Sequence, residues 1–224
     1  MSRLSADSHK RSSYASESMT RRRTRVLDEA RKLVAEAGYD GVTMRLLAER
    51  SQVASATLYN IYGNKETLIA TAVSELLEEQ MERGRQQSGG GLDGELNRLE
   101  LIAAEIMRMP EYARAMVTVY FSGTADNIVR DLLRRITSTN YTQMLDGLKQ
   151  DGGLFPWVNV ELAASELANH EYAVVHDWAV GLLPSAQLAW RQKYVMLLTL
   201  GSITQGATAD AVRARLETCQ NHLL

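Results

Sequence analysis

The 224-residue chain is poor in the residues that mark several protein classes. It has one cysteine, Cys219, which has no partner for an intramolecular disulfide. That argues against a disulfide-stapled secreted scaffold and favours a reducing compartment. Long apolar runs are missing: the longest nearly unbroken one, residues 194–200, falls far short of the roughly 18–20 residues of a membrane span. The polar N-terminus holds no apolar signal-peptide core, so a cytoplasmic location is expected. Only three prolines and few alternating Val, Ile or Phe positions argue against an all-β fold. What is present suits a globular protein, with 45% apolar and 23% charged residues, enough to bury one or two cores.

Catalytic signatures are scarce too. No Gly-x-Ser-x-Gly, phosphate loop or Glu-x-x-His occurs. His170-Glu171 begins a zincin-like string, but Val174 stands where the second histidine would be. Glu166 and His170 lie four residues apart, and two ligands are too few for a metal site. No cofactor, metal or catalytic residue is expected. Cys219 lacks an activating sequence environment and reads as an inert thiol.

The net charge of −2 conceals an asymmetry. Residues 1–66 carry 12 Lys and Arg against 8 Asp and Glu, a surplus of four positive charges. Residues 67–224 carry 13 against 19, a deficit of six. A basic end on an acidic body suits a polyanion partner at that end.

Periodicity predicts helices throughout, an all-α architecture. Residues 1–19 are Ser-rich with almost no large aliphatics and are expected to be a disordered tail. Val26, Ala30, Leu33, Val34 and Ala37 then recur at helical spacing, and Gly38 supplies a stop. Thr43 is a good N-cap for a short second helix, followed by a third over 55–62 and a long fourth capped by Asn64. The run 86–91, with three consecutive glycines, reads as a linker. Further helices are expected at about 95–108, 111–121, 125–150, 159–182, 185–205 and 208–222, with breaks at Pro110, Gly152-Gly153 and Pro184.

Two short helices joined by a tight turn, with another packed across them, form the helix-turn-helix plan, which offers one exposed helix to the major groove. Leu47, Ala48, Val53 and Leu58 are spaced to face inward. Thr43 and Arg45 open the second helix, where N–H groups and a guanidinium suit phosphate; Arg45 could equally reach a guanine edge. Ser55, Ala56 and Thr57 open the third helix and can meet base edges or thymine methyls. Tyr59 and Asn60 lie one turn on, with Asn60 suited to adenine or phosphate, and Lys65 suits a phosphate.

Residues 24–69 resemble the TetR family of bacterial transcriptional regulators. The resemblance rests on Ala37-Gly38-Tyr39, Thr43…Leu47-Ala48, Val53 and above all Thr57-Leu58-Tyr59…Tyr62…Asn64-Lys65-Glu66…Leu68. Three positions depart from it. Gln52 stands where the family usually has glycine, at about 1–2 kcal/mol if left-handed. Ala54 replaces a frequent capping serine, so that Ser55 is expected to cap instead. Ile61 replaces a residue that is often Tyr or His and phosphate-facing.

The resemblance implies a helix-turn-helix DNA-binding domain at 20–66 and an effector-binding and dimerisation domain at 67–224. It implies a homodimer on a two-fold-symmetric double-stranded operator, formed by the helices at about 159–182 and 185–205, with Leu197 and Leu198 at the interface. It further implies a small-molecule effector, apolar or aromatic, that releases a repressor. Met107, Tyr112, Met116, Tyr120, Phe121, His170, Tyr172, His176 and Trp178 form the candidate effector set, since methionines adapt and aromatics give broad apolar walls. The alternative is a helical enzyme or metal-binding bundle with a DNA-binding-like head.

Overall fold

A computed structural model describes residues 4–88, 90–121 and 128–224, without the side chains of 4–18, 80–82 and 84–88. The described residues form ten α-helices and one isolated β-bridge, between Leu154 and Thr204. The head comprises α1 (Leu4–Gly41), α2 (Met44–Ser51) and α3 (Ser55–Tyr62). The long α4 (Lys65–Ser88) leads into a body of α5 (Gly91–Arg108), α6 (Pro110–Phe121), α7 (Ile128–Gln150), α8 (Val160–Ala179), α9 (Leu188–Ile203) and α10 (Gly206–Leu223).

The head's boundaries follow from local chemistry. Gly38, at φ 69°, breaks α1 where the stop was expected. The Thr43 hydroxyl accepts from the Leu46 N–H at 3.2 Å and caps α2. At the other end Gln52 adopts φ 54° and ψ 44°, the one non-glycine residue with positive φ among those described. Its N–H donates to Glu49 and the Val53 N–H to the Ala48 carbonyl. That double closure turns the chain sharply and calls for a left-handed residue, which is why glycine would be easier here. Asn64 accepts from the Thr67 N–H at 2.8 Å and starts α4.

Three differences from the expected layout have plain causes. The helix already begins at Leu4, inside the expected tail; residues 2–37 contain neither Gly nor Pro, so a helix anchored on the head core can propagate backwards. Residues 1–3 lie outside the described residues. The linker is shorter than expected, because α4 runs to Ser88 and α5 starts at Gly91; Gly89 is outside the described residues. The break at Pro110 is present, with α5 ending at Arg108, but Pro110 is the first residue of α6 rather than the one before it, a position where its missing N–H is harmless. The expected start of α7 at 125 falls among residues 122–127, outside those described.

One apolar cluster joins the head to the front of the body. It includes Leu27 and Val34 of α1, Leu47, Leu58, then Leu68, Ile69 and Val73 of α4, and Tyr112, Met116, Val129 and Leu133 of the body. This core crosses residue 66 without a gap. A second cluster fills the rear between α5, α7, α8, α9 and α10, and a third, smaller one gathers around Trp178 and Leu188.

Candidate functional site

The head presents α3 on a braced frame. Leu58 and Tyr62 face inward and are buried, whereas Ala56, Tyr59, Asn60 and Ile61 are exposed and Ser55 and Thr57 half-exposed. Tyr59 is 53% and Ile61 61% exposed. Thr43 and Arg45 are exposed beside them at the start of α2. The frame is tied by Arg50, whose guanidinium donates to both Glu36 oxygens at 2.9 and 3.0 Å and to Glu29 at 3.2 Å. Those bonds hold the Glu29 and Glu36 carboxyls below the usual carboxylate range, with Lys32 the larger influence on Glu29.

One expectation for the head is corrected. The residue before α3 is Ala54, with φ −60° and ψ 136°, and Ser55 is the first helical residue rather than the cap. The N-terminus of α3 therefore has no side-chain cap hydrogen bond, leaving helix N–H groups for an outside acceptor such as a phosphate. Lys65 is half-buried and bonded within the chain: its Nζ donates to the Tyr39 carbonyl at 3.3 Å and lies 4.7 Å from the Tyr39 ring centre. Arg23 of α1 pairs with Glu75 of α4.

The body contains a cavity of about 110 Å³ walled by α4, α5, α6, α7 and α8. Val73, Leu76 and Leu77 form its α4 side, and Ile102, Ile106 and Met109 its α5 side. Of the candidate effector set, Tyr112, Met116 and Tyr172 line it. Tyr120 backs the wall, stacked on Tyr172 at 3.8 Å and donating its hydroxyl to Asn169 at 3.0 Å. The other five residues do not line it. Met107 and Phe121 point outward, Phe121 meeting half-exposed His176 edge-on at 5.1 Å. His170 is exposed near Thr199. Trp178 is buried in the third cluster, with its indole N–H on Ser185. Helical spacing brought these residues to the right helices, but each helix has several faces and only one meets the cavity.

The sequence reading missed a charged group in the cavity wall. Arg98 of α5 sits between Glu95 and Glu171, all three nearly fully buried, and Tyr141 donates its hydroxyl to Glu171 at 2.8 Å. Burial pushes the Glu95 carboxyl and the Tyr141 hydroxyl up; burial opposes the charge on Arg98, yet Glu171 and Glu95 together hold it well above the usual arginine value. The available signals were Glu95 and Arg98 three apart on a helix and Glu171 inside an apolar stretch. No group of three or more His, Cys, Asp or Glu that could hold a metal is found among the described residues, and no described helix is long and apolar enough to cross a membrane.

Head and cavity are mechanically connected. Arg31 of α1 donates through Nε and Nη2 to the Ala72 carbonyl of α4, at 3.1 and 2.8 Å. One residue on, Val73 is already in the cavity wall.

The head has the helix-turn-helix build, with an exposed third helix, and one long helix joins it to a larger helical body. Residues 26–72, the head and the start of α4, match the model described as "Bacterial regulatory proteins, tetR family". It is similar to the HTH-type transcriptional repressor KstR of Rhodococcus jostii, 35% identical over 94 residues. That similarity covers 42% of this chain and 43% of the repressor, so the chain spans less than half of that relative. Among solved structures, Thermus thermophilus FadR, a TetR-family repressor in complex with lauroyl-CoA, has TM-score 0.66 at 20% identity, over 83% of this chain and 97% of that one. The TetR regulator TylP of Streptomyces fradiae has TM-score 0.67 at 18% identity, over 92% and 91%. These two similarities establish the fold.

Proposed function

We propose that the protein is a homodimeric, sequence-specific DNA-binding transcriptional regulator, a repressor released when a small apolar or aromatic effector fills the body cavity. The observation that carries this reading is the exposed face of α3, with Ala56, Tyr59 and Asn60 outward and no side chain capping its N-terminus. Thr43 and Arg45 flank it and fit backbone contacts, while Ser55, Ala56, Thr57 and Asn60 fit base edges. Lys65, with one of its three donors on the Tyr39 carbonyl, keeps two for a phosphate. The KstR relative is named a repressor, which supports repression over activation.

One head reads too few bases for tight specific binding, and a two-fold dimer doubles the contact. Exposed apolar side chains on and beside α8 and α9 support a dimer surface there: Leu162, Val180, Leu182 and Leu198. Leu198 is 53% exposed, whereas Leu197 is fully buried in the rear core, so of the two expected interface leucines only Leu198 remains a candidate. Gly201 has open space above it, as close approach of a second copy requires.

The switch is a population shift. An occupant pressing on Val73, Leu76 and Leu77 favours another placement of α4, and the Arg31–Ala72 clamp carries that placement into the head. The test is selection of bound duplexes from a random-sequence DNA pool. A two-fold-symmetric motif should emerge, bound in a salt-sensitive way, with Thr57→Ala and Asn60→Ala changing the preferred bases. Recovery of no motif, with affinity no greater than for bulk DNA, would overturn the reading.

A further inference from the structure

The charges around the cavity are unevenly available. Arg98 is the only Lys or Arg among the described residues that line it, and it is already committed. Its Nε donates to Glu95 at 2.7 Å, its Nη1 to Glu171 at 3.2 Å, and its Nη2 is shared between both carboxylates. One guanidinium thus faces two carboxyls; Glu105 also lines the cavity, its charge matched by Arg108. With Glu95 ionised the buried triad is net negative; with Glu95 protonated it is neutral. In neither state does the wall offer an uncommitted cation, so an anionic ligand would lose its hydration without gaining a counter-charge.

A second, independent observation concerns α6. Tyr112 is 6% exposed and lines the same cavity, and its hydroxyl is buried without a hydrogen-bond partner among the described residues. A buried hydroxyl left this way costs stability in the empty protein and can be repaid by an acceptor atom that arrives with a ligand.

We propose that the cavity selects an uncharged, mostly apolar molecule bearing one hydroxyl or carbonyl oxygen for Tyr112, and refuses the carboxylate of the same carbon skeleton. This rests on the cavity being the effector site. It also separates the chain from its structural neighbour in complex with lauroyl-CoA, whose ligand carries phosphates.

The experiment is calorimetric titration of the full chain with 1-octanol and with octanoate at neutral pH. Octanol should bind at least about tenfold more tightly, since the anion gives up its hydration to a wall with no free counter-charge. Tyr112→Phe should weaken octanol about two- to tenfold, one hydrogen bond's worth, while raising the melting temperature of the empty protein. Octanoate binding as well as octanol, or octanol binding indifferent to Tyr112→Phe, overturns the inference and leaves the effector-site reading standing. Binding of neither probe, or octanol binding unaffected by the cavity-filling Met116→Trp, overturns both.

Discussion

The head and the body solve opposite problems. The head keeps its candidate contact side chains outside: Tyr59, Asn60 and Arg45 stand in solvent on a frame of buried leucines, and its ion pairs, such as Arg50 with Glu36, lie at the surface. The body keeps its candidate site inside: Arg98, Glu171 and Tyr172 come from helices far apart in sequence and meet around a cavity. Exposed contacts cost little when broken and can be altered to read a new partner. Buried charged ones are costly to break and fix one arrangement.

The sharpest contrast between inside and outside lies in two neighbouring leucines. Leu197→Asp would bury an unpaired charge in the rear core and should leave no soluble folded protein. Leu198→Asp should leave the helical spectrum intact and yield a monomer with weak operator binding. Sedimentation and thermal melts of the pair check this, and a Leu198→Asp dimer would remove α9 from the interface. Next in size is Arg98→Met, which strands Glu95 and Glu171 in the interior and should cost about 3–5 kcal/mol by chemical denaturation. The matching head variant, Arg50→Met, should shift the midpoint far less, since its partners reach water. Equal losses for the two would break the distinction between the regions. The smallest effect is a gain: Gln52→Gly relieves the left-handed residue after α2 and should add about 1 kcal/mol. No gain would mean that the turn carries no strain.

This division also explains what could be read from the sequence. The head's signals are local. Thr43, Gly38 and Asn64 act on backbone groups within four residues, so caps and breaks appear as short patterns, and α2 and α3 fall where spacing puts them. Ala54 in place of a capping residue was the exception: without a side-chain cap, the helix start is set by how the turn from Gln52 delivers the chain. The body's helices were legible for the same local reason, but its cavity was not. Whether Met107 or Met109 faces the cavity depends on how α5 is rotated against α7 and α8, which no local pattern encodes. Trp178 and His176 share a helix with Tyr172, yet one is packed beneath and the other turned out. The Arg98 triad spans 73 residues between Arg98 and Glu171, a separation at which spacing carries no information.

The central claim is that the buried cavity governs the exposed reading helix. The direct measurement is operator affinity by titration, with and without saturating 1-octanol, for the wild-type chain and for Met116→Trp. Coupling between such sites is typically about 1–3 kcal/mol. The wild-type chain should therefore lose about 5- to 150-fold in operator affinity when the cavity is occupied, and Met116→Trp, with its cavity already filled, should not respond. An operator affinity identical in all four conditions would contradict the account.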